Sequence, residues 1–474
     1  SEDGMVWTFK IREGGKWVNS KGEVIGEVTA NDFAFGFSEL LNPANAAEYY
    51  YFATVFKNAQ AYYDYVSGVE GAPEVTLEEV GIKVLDDYTL QLELENYLPY
   101  FLQYLKFEVM APVYEPFYTE VGADNYGTSP ETLAFNGPFY MTEWILENTI
   151  TTVKNPEWHD ADKVNLAKIN WVKFTDSNVK YNAFLGGEMD LIDITGEQRA
   201  MFEAEDFTPS AYEGGYSFYF WVNTTDTSDM RSPSLRKAVS AAIDRRQIID
   251  TVFKNDNLVP PAFTFGITGV NTPSFADAVV AANGGEPMYS ATADVESAKT
   301  YLAAALEELG YTDASEVKLS IMTSEGTQNE LMSQVVQEQL RVALGINCEI
   351  EVLTITEWRA RRNVIDFDIC HGGWGPDYND PMTDLDLFET GNGNNHTGYS
   401  NPEYDALLAQ ARLEVDMEAR EKLFIQLEFM LKEDAPIIPT YWRAEDFIVS
   451  EKMVEGYSRM PFVAYNFIYT VLAD

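Results

Sequence analysis

Cysteine and histidine are nearly missing from this chain, with two and three residues among 474. Cys348 and Cys370 each lie in an apolar stretch that reads as a strand. Buried free thiols are the expectation, and a disulfide stays open only if those strands are neighbours. Cys, His and acidic residues nowhere fall at metal-ligand spacing, so neither a metal nor a cofactor is expected. No Gly-x-Ser-x-Gly elbow or zinc motif is present, so hydrolytic machinery is not visible. Basic residues are also scarce: 32 against 76 acidic ones, a formal charge of −44. A field of that sign repels nucleic acid and anionic lipid, so both are poor candidates as partners. No apolar run is long enough to span a bilayer. There is no internal repeat or low-complexity segment, and Ser1 opens without an apolar leader, so a signal peptide is expected to lie outside this sequence.

What is present reads as a globular α/β chain. Its length exceeds what one core supports, so two or more domains are expected. Met5 to Arg12 alternates as a strand, and Thr29 with Asp32 forms a capping-box signal for a helix that Asn42-Pro43 stops. Val80–Val84 and Thr89–Leu94 read as a strand pair. Strands Thr149–Val153 and Lys168–Phe174 follow, then an aromatic strand, Tyr216 to Asn223. Ser232-Pro233 and Asp294 open helices with one apolar face each. Strand Val317–Met322, a helix bearing Met332, Val336, Leu340 and Leu344, and strand Ile346–Leu353 make a βαβ unit, which implies a parallel sheet.

After the next strand, Phe367–Cys370, comes Gly-Trp-Gly-Pro-Asp-Tyr-Asn-Asp-Pro, residues 373–381. Gly373 and Gly375 carry no bulk, so this backbone can lie against another and hydrogen-bond to it, as when a peptide joins a sheet edge. Trp374 and Tyr378 supply flat apolar walls, and Asp377 places a carboxylate between them. The obvious cation for that carboxylate is a peptide α-ammonium. Ligands gather at the carboxyl ends of parallel strands, where this segment sits. Short peptides are therefore the expected ligand, held without catalysis.

Several motifs together resemble the extracellular oligopeptide-binding proteins of bacterial ABC importers, the peptide and nickel solute-binding family. They are Trp7–Arg12 with Lys16-Trp17 and Val28–Phe33, Asn136-Gly137-Pro138-Phe139 with Trp144, Leu235–Ala238 with Ala242–Arg245, and residues 373–381 with Asn394-Asn395, Tyr399 and Asn401–Asp405. The resemblance runs nearly end to end and favours the oligopeptide branch. It implies a two-lobed, periplasmic-binding-protein-like α/β fold of the class II type, with an additional α+β domain. The implied division is 1–135 for the small α+β domain, 136–215 plus 445–474 for lobe one, and 216–444 for lobe two. It also implies family strands upstream of Trp7 that are missing before Ser1, leaving the first lobe N-terminally incomplete. Asp377 falls where the family clamps the peptide α-ammonium, and Trp374 and Trp358 at pocket-lining positions. Lys254 and His371 fall near positions where basic residues meet the ligand's carboxylate, although His371 replaces a familiar Arg. Partners implied are short peptides and ABC permease subunits, for an extracytoplasmic and lipid-anchored monomer.

Each candidate has a plainer alternative. Asp377 can order its own turn, and Trp374 and Trp358 can be core residues. Trp221 lies in an aromatic strand of the kind more often core than site, while Asn223 at its end suits backbone recognition. Lys254 sits in a polar Lys-Asn-Asp-Asn run where a solvated lysine is ordinary, and His159 and His396 read as loop holders. Oligosaccharide or nickel-chelate binding on the same scaffold is the competing function. A glycoside hydrolase would need two carboxylates across a scissile bond, and Asp377 and Asp380 share one turn.

Overall fold

The structure is a computed structural model that describes residues 1, 3–460 and 463–473. It divides into two compact units. One comprises Ser1–Asp190, Val449–Arg459 and Tyr465–Asp474, the other Leu191–Ile448 and Met460–Ala464.

In the first unit, strand β1 (Val6–Lys10) precedes helix α1 (Ala30–Leu40). The carboxylate of Asp32 accepts from the Thr29 backbone N–H at 2.7 Å and from Trp17 Nε1 at 3.0 Å. The expected capping acid therefore also anchors a buried indole, and burial pushes its pKa up against those bonds. Strands β2 (Ile82–Asp86) and β3 (Thr89–Glu93) form the expected hairpin, and β1 pairs antiparallel with β3 to give the order β1-β3-β2. A second sheet is the meander β4 (Phe139–Ile145), β5 (Thr149–Lys154) and β6 (Lys168–Val172). The C-terminal tail returns here: Trp171 lies 5.5 Å from the Phe467 ring.

The second unit contains β7 (Leu191–Asp193), α2 (Gly196–Ala204), β8 (Ser210–Val222), α3 (Pro233–Ala242) and α4 (Val295–Leu309). Then come β9 (Leu319–Ser324), α5 (Thr327–Leu344), β10 (Cys348–Leu353), α6 (Ile355–Asn363), β11 (Ile369–Trp374), α7 (Met417–Asp434) and β12 (Ile437–Val449). Its six-stranded sheet has the order β10-β9-β11-β8-β12-β7. β9 runs parallel to β10 and β11, so the βαβ unit is present, whereas β8 is antiparallel to β11 and β12. The apolar faces read from the sequence meet in one core. Leu235 and Val239 of α3, Leu302 of α4 and Val336 and Leu340 of α5 pack on Ile321, Ile369 and Phe220 of the sheet. Burying a side chain of this size stabilises the fold by about 1.5–3 kcal/mol.

The aromatic strand starts earlier than the Tyr216 expected from the sequence. β8 begins at Ser210, and Gly214-Gly215 is a β-bulge inside it, with the register shifting between Glu213 and Ser217. The expected boundaries at 215/216 and 444/445 therefore both fall within continuous strands, β8 and β12. Gly215 has φ +85°, which the bulge requires and other residues rarely adopt. The two cysteines are free and buried, because β9 lies between their strands, and burial pushes the Cys348 thiol up to about 12.

Candidate functional site

The sheet of the second unit parts at one place. β9 and β11 pair only through Ile321↔Ile369 and Met322↔Cys370. Beyond them β9 stays with β10 as far as Ser324, and β11 stays with β8 as far as Trp374. Residues 371–374 thus keep a strand partner on one edge and, among the described residues, have none on the β9 side. That opening lies at the carboxyl ends of the parallel strands, where an extended backbone can add to the ladder.

The glycines here have a second explanation that the sequence did not show. A Cβ on Gly373 would stand 2.7 Å from the Ser217 carbonyl and 2.9 Å from the Phe218 ring, and one on Gly375 would stand 2.4 Å from the Tyr216 ring. Aromatic side chains of β8 lie directly across this backbone. The fold therefore requires both glycines before any ligand arrives.

Strand alternation then sorts the candidates onto two faces. Ser217, Tyr219 and Trp221 share a face with their opposites Trp374, Gly372 and Cys370. His371, opposite Phe220, is on the other face, with its ring 5.4 Å from Phe220 and 5.9 Å from Phe218. Burial alone holds its pKa down to about 3, so it is neutral at physiological pH. The expected basic contact at His371 is thereby corrected: it is a core residue of the helix-covered face. Lys254 is exposed and stands apart, paired with Glu197 of α2 at 2.8 Å. Asn223 is fully engaged internally. Its Nδ2 donates to the Phe367 carbonyl at 2.9 Å and to Thr227 Oγ1 at 3.0 Å, and its Oδ1 accepts from the Thr225 N–H at 2.9 Å. It braces two loops, which corrects its expected part in recognising a ligand backbone.

The Trp374 face gathers the aromatic candidates. Trp221 and Trp358 lie 6.0 Å apart, both buried, and the Arg362 guanidinium sits over both rings at 5.5 and 4.9 Å. Sequence reasoning passed over Arg362, although it follows Trp358 by four residues on α6 and so shares its helix face. His396 completes the group edge-on to Trp221 at 5.5 Å, with its pKa lowered to about 4, first by burial and then by Arg362.

Asp377 is half-buried on the turn that follows β11, and its N–H donates to Thr383 Oγ1 at 2.9 Å. Tyr378 beside it is buried. The turn is held from both ends. Asn379 Oδ1 accepts from the Thr268 N–H at 2.9 Å, and Asp380 receives Arg420 Nη2 at 2.9 Å in a bidentate pair sealed from solvent. Arg420 Nε also donates to the Ala411 carbonyl at 2.8 Å. Asp380 is thus a structural anchor, and the turn that carries Asp377 is held on both sides.

Buried polar atoms are usually paired, so exceptions mark special places. On and beside the Trp374 face, Ser217 Oγ, Tyr219 OH, Trp374 Nε1 and both oxygens of Asp384 lack a hydrogen bond of ordinary geometry. Among the described residues no group of three or more His, Cys, Asp or Glu could hold a metal ion. The arrangement offers an unpaired strand edge, aromatic walls, one half-buried carboxylate and a guanidinium on an aromatic bed. That set suits a ligand with a main chain and charged ends.

Residues 1–396 match the family model of bacterial extracellular solute-binding proteins, family 5, middle region. The oligopeptide-binding protein OppA of Bacillus subtilis is 30% identical over 473 residues, covering 96% of this chain and 79% of that protein. The dipeptide-binding protein DppE of the same organism is 29% identical over 463 residues, covering 97% and 80%. Among solved structures, the substrate-binding domain of an oligopeptide ABC transporter from Bacillus anthracis superimposes with a TM-score of 0.83 at 27% identity, covering 100% of this chain and 88% of that one. Listeria monocytogenes OppA bound to peptide gives 0.82 at 28% identity, with the same coverage.

Proposed function

The chain belongs to the bacterial extracellular solute-binding proteins of family 5, a non-enzymatic transport family, and from that premise we propose how it holds its ligand. It is the peptide-binding component of an ABC importer. The main chain of a short peptide runs along the unpaired edge of β11 at residues 371–375, and main-chain hydrogen bonds supply affinity that ignores side-chain identity. Asp377 receives the α-ammonium and fixes the register. Trp374, Trp358, Trp221 and Tyr378 wall the side-chain pockets, and Arg362, rather than Lys254 or His371, is the cation for the carboxylate end. The observation that carries this reading is the strand edge left open beside the anchored turn of Asp377.

Delivery to membrane permease subunits, a lipid anchor upstream of Ser1 and a monomeric state extend the proposal. Periplasmic placement belongs to relatives such as the murein peptide-binding protein MppA of Escherichia coli, and an extracytoplasmic site is proposed here likewise. Native mass spectrometry of freshly purified protein tests the function directly. Retained mass that fragments as intact short peptides is the expected result. Retained oligosaccharide, or turnover of an added peptide mixture, would overturn it.

A further inference from the structure

Asp384 has no role in the scheme above and is the least comfortable side chain in the second unit. It lies on the short helical turn Met382–Leu385, is 0% exposed, and neither carboxyl oxygen has a hydrogen-bond partner of ordinary geometry. A buried carboxylate without partners is among the costliest groups a protein can hold. Its surroundings add to the cost. Glu428 of α7 acts on it, as do Asp377 on the turn after β11, Asp386 just past the end of the helical turn and the Tyr219 hydroxyl of β8, which has no hydrogen bond of ordinary geometry.

The neighbouring cations are already committed. Arg420 is bound to Asp380, and Arg412 to Glu389. Glu428 accepts the N–H groups of Phe263 at 3.0 Å and Thr264 at 2.8 Å, so it has compensation that Asp384 lacks. Burial, then Glu428, Asp377 and Asp386, raise the Asp384 pKa well above the usual carboxylate range. Like charges in one site cannot all ionise; burial raises Asp386 as well, to about 7, and Asp384 is the carboxyl here with no partner for a charge on either oxygen.

We propose that Asp384 is a specificity-determining carboxyl behind the ammonium site, which gives up its proton when a cation is captured at Asp377. The balance is simple. A peptide ammonium, the Asp377 carboxylate and the Asp384 carboxylic acid become a complex of one ammonium with two carboxylates, and one proton passes to solvent. A cationic amino end then meets two negative charges, whereas an acylated end meets one charge and a neutral acid. Selection for a free ammonium is sharpened, and affinity for it rises with pH by up to about tenfold per unit while the proton is being released.

This inference rests on the ammonium reading of Asp377, and the test separates the two. Trialanine is titrated calorimetrically at pH 6.0, where its ammonium is fully protonated, in buffers of different ionisation enthalpy. The heat should depend on buffer and report up to one proton released per peptide. In Asp384→Asn, trialanine binding should persist, more weakly, with heat that no longer depends on buffer. Infrared spectroscopy adds a second measurement: a protonated-carboxyl band in the free protein that trialanine removes and that Asp384→Asn lacks. Buffer-independent heat in the unmodified protein, or undiminished proton release in Asp384→Asn, overturns the inference. If Asp377→Asn binds trialanine and N-acetyl-trialanine as the unmodified protein does, the ammonium reading itself fails.

Discussion

Replacing Asp377 with Asn removes one charge and keeps the shape, so the turn should survive. Its main-chain N–H bond to Thr383 is left in place by the substitution, and the Asp380–Arg420 pair is untouched. What changes is the partner offered to a ligand ammonium. A buried, hydrogen-bonded charge pair that loses one member costs roughly 2–5 kcal/mol, much of it from stranding the remaining charge. Asp377 is half-buried, so solvent screens part of that, and the lower end applies: about 2–3 kcal/mol, or roughly 30- to 150-fold in Kd. N-acetylated peptides carry no amino-terminal charge and should lose far less. Calorimetric titration of matched free and acetylated peptides measures the difference directly. Equal losses for both would refute the argument, because the carboxylate would then be acting on the turn and not on the ligand.

Four further outcomes follow from the geometry. Asp380→Asn should destabilise the second unit by about 3–5 kcal/mol in urea unfolding, because Arg420 is left charged and buried; an unchanged midpoint would contradict the sealed pair. Gly373→Ala should lower stability in the absence of peptide by about 1–3 kcal/mol, since its Cβ meets the Ser217 carbonyl, whereas a glycine needed only for ligand approach would alter affinity alone. His371 titrates near 3 when folded and near 6.5 when unfolded, so the unfolded chain binds more protons between those values. Stability at neutral pH is therefore lost as pH falls below about 6.5, by ~2 kcal/mol at pH 5, and His371→Phe should flatten that slope in thermal unfolding. The same His371→Phe variant should leave peptide affinity at pH 7 intact, and a large loss would return His371 to the binding surface.

Much of the second unit was legible because its periodicities are strong. The apolar spacing of Met332, Val336 and Leu340 between two β-branched strands leaves little but a βαβ unit, and Ser232-Pro233 and Asp294 mark helix starts with their own chemistry. The sequence put the start of the aromatic strand at Tyr216, whereas β8 begins at Ser210 and runs through Gly214-Gly215 as a bulge that only its strand partner reveals. His371 was placed through the family resemblance, yet an offset of three along the strand puts it on the face opposite Trp374. The glycines at 373 and 375 were legible as necessary but not as to cause, since rings from a strand more than 150 residues earlier in the chain set the requirement. Asp384 was invisible, because nothing in Met-Thr-Asp-Leu announces that this acid is enclosed without a partner.

The sealed contact between Asp380 and Arg420 bears on where such a protein can work. Surface attractions fade once dissolved ions crowd within ~8–10 Å, and a molecule carrying −44 gathers many counterions. An ion pair out of reach of those counterions keeps its strength from fresh water to brine. The turn that carries Asp377 should thus hold one shape across a wide range of salinity, while attractions at the molecule's surface vary with salt.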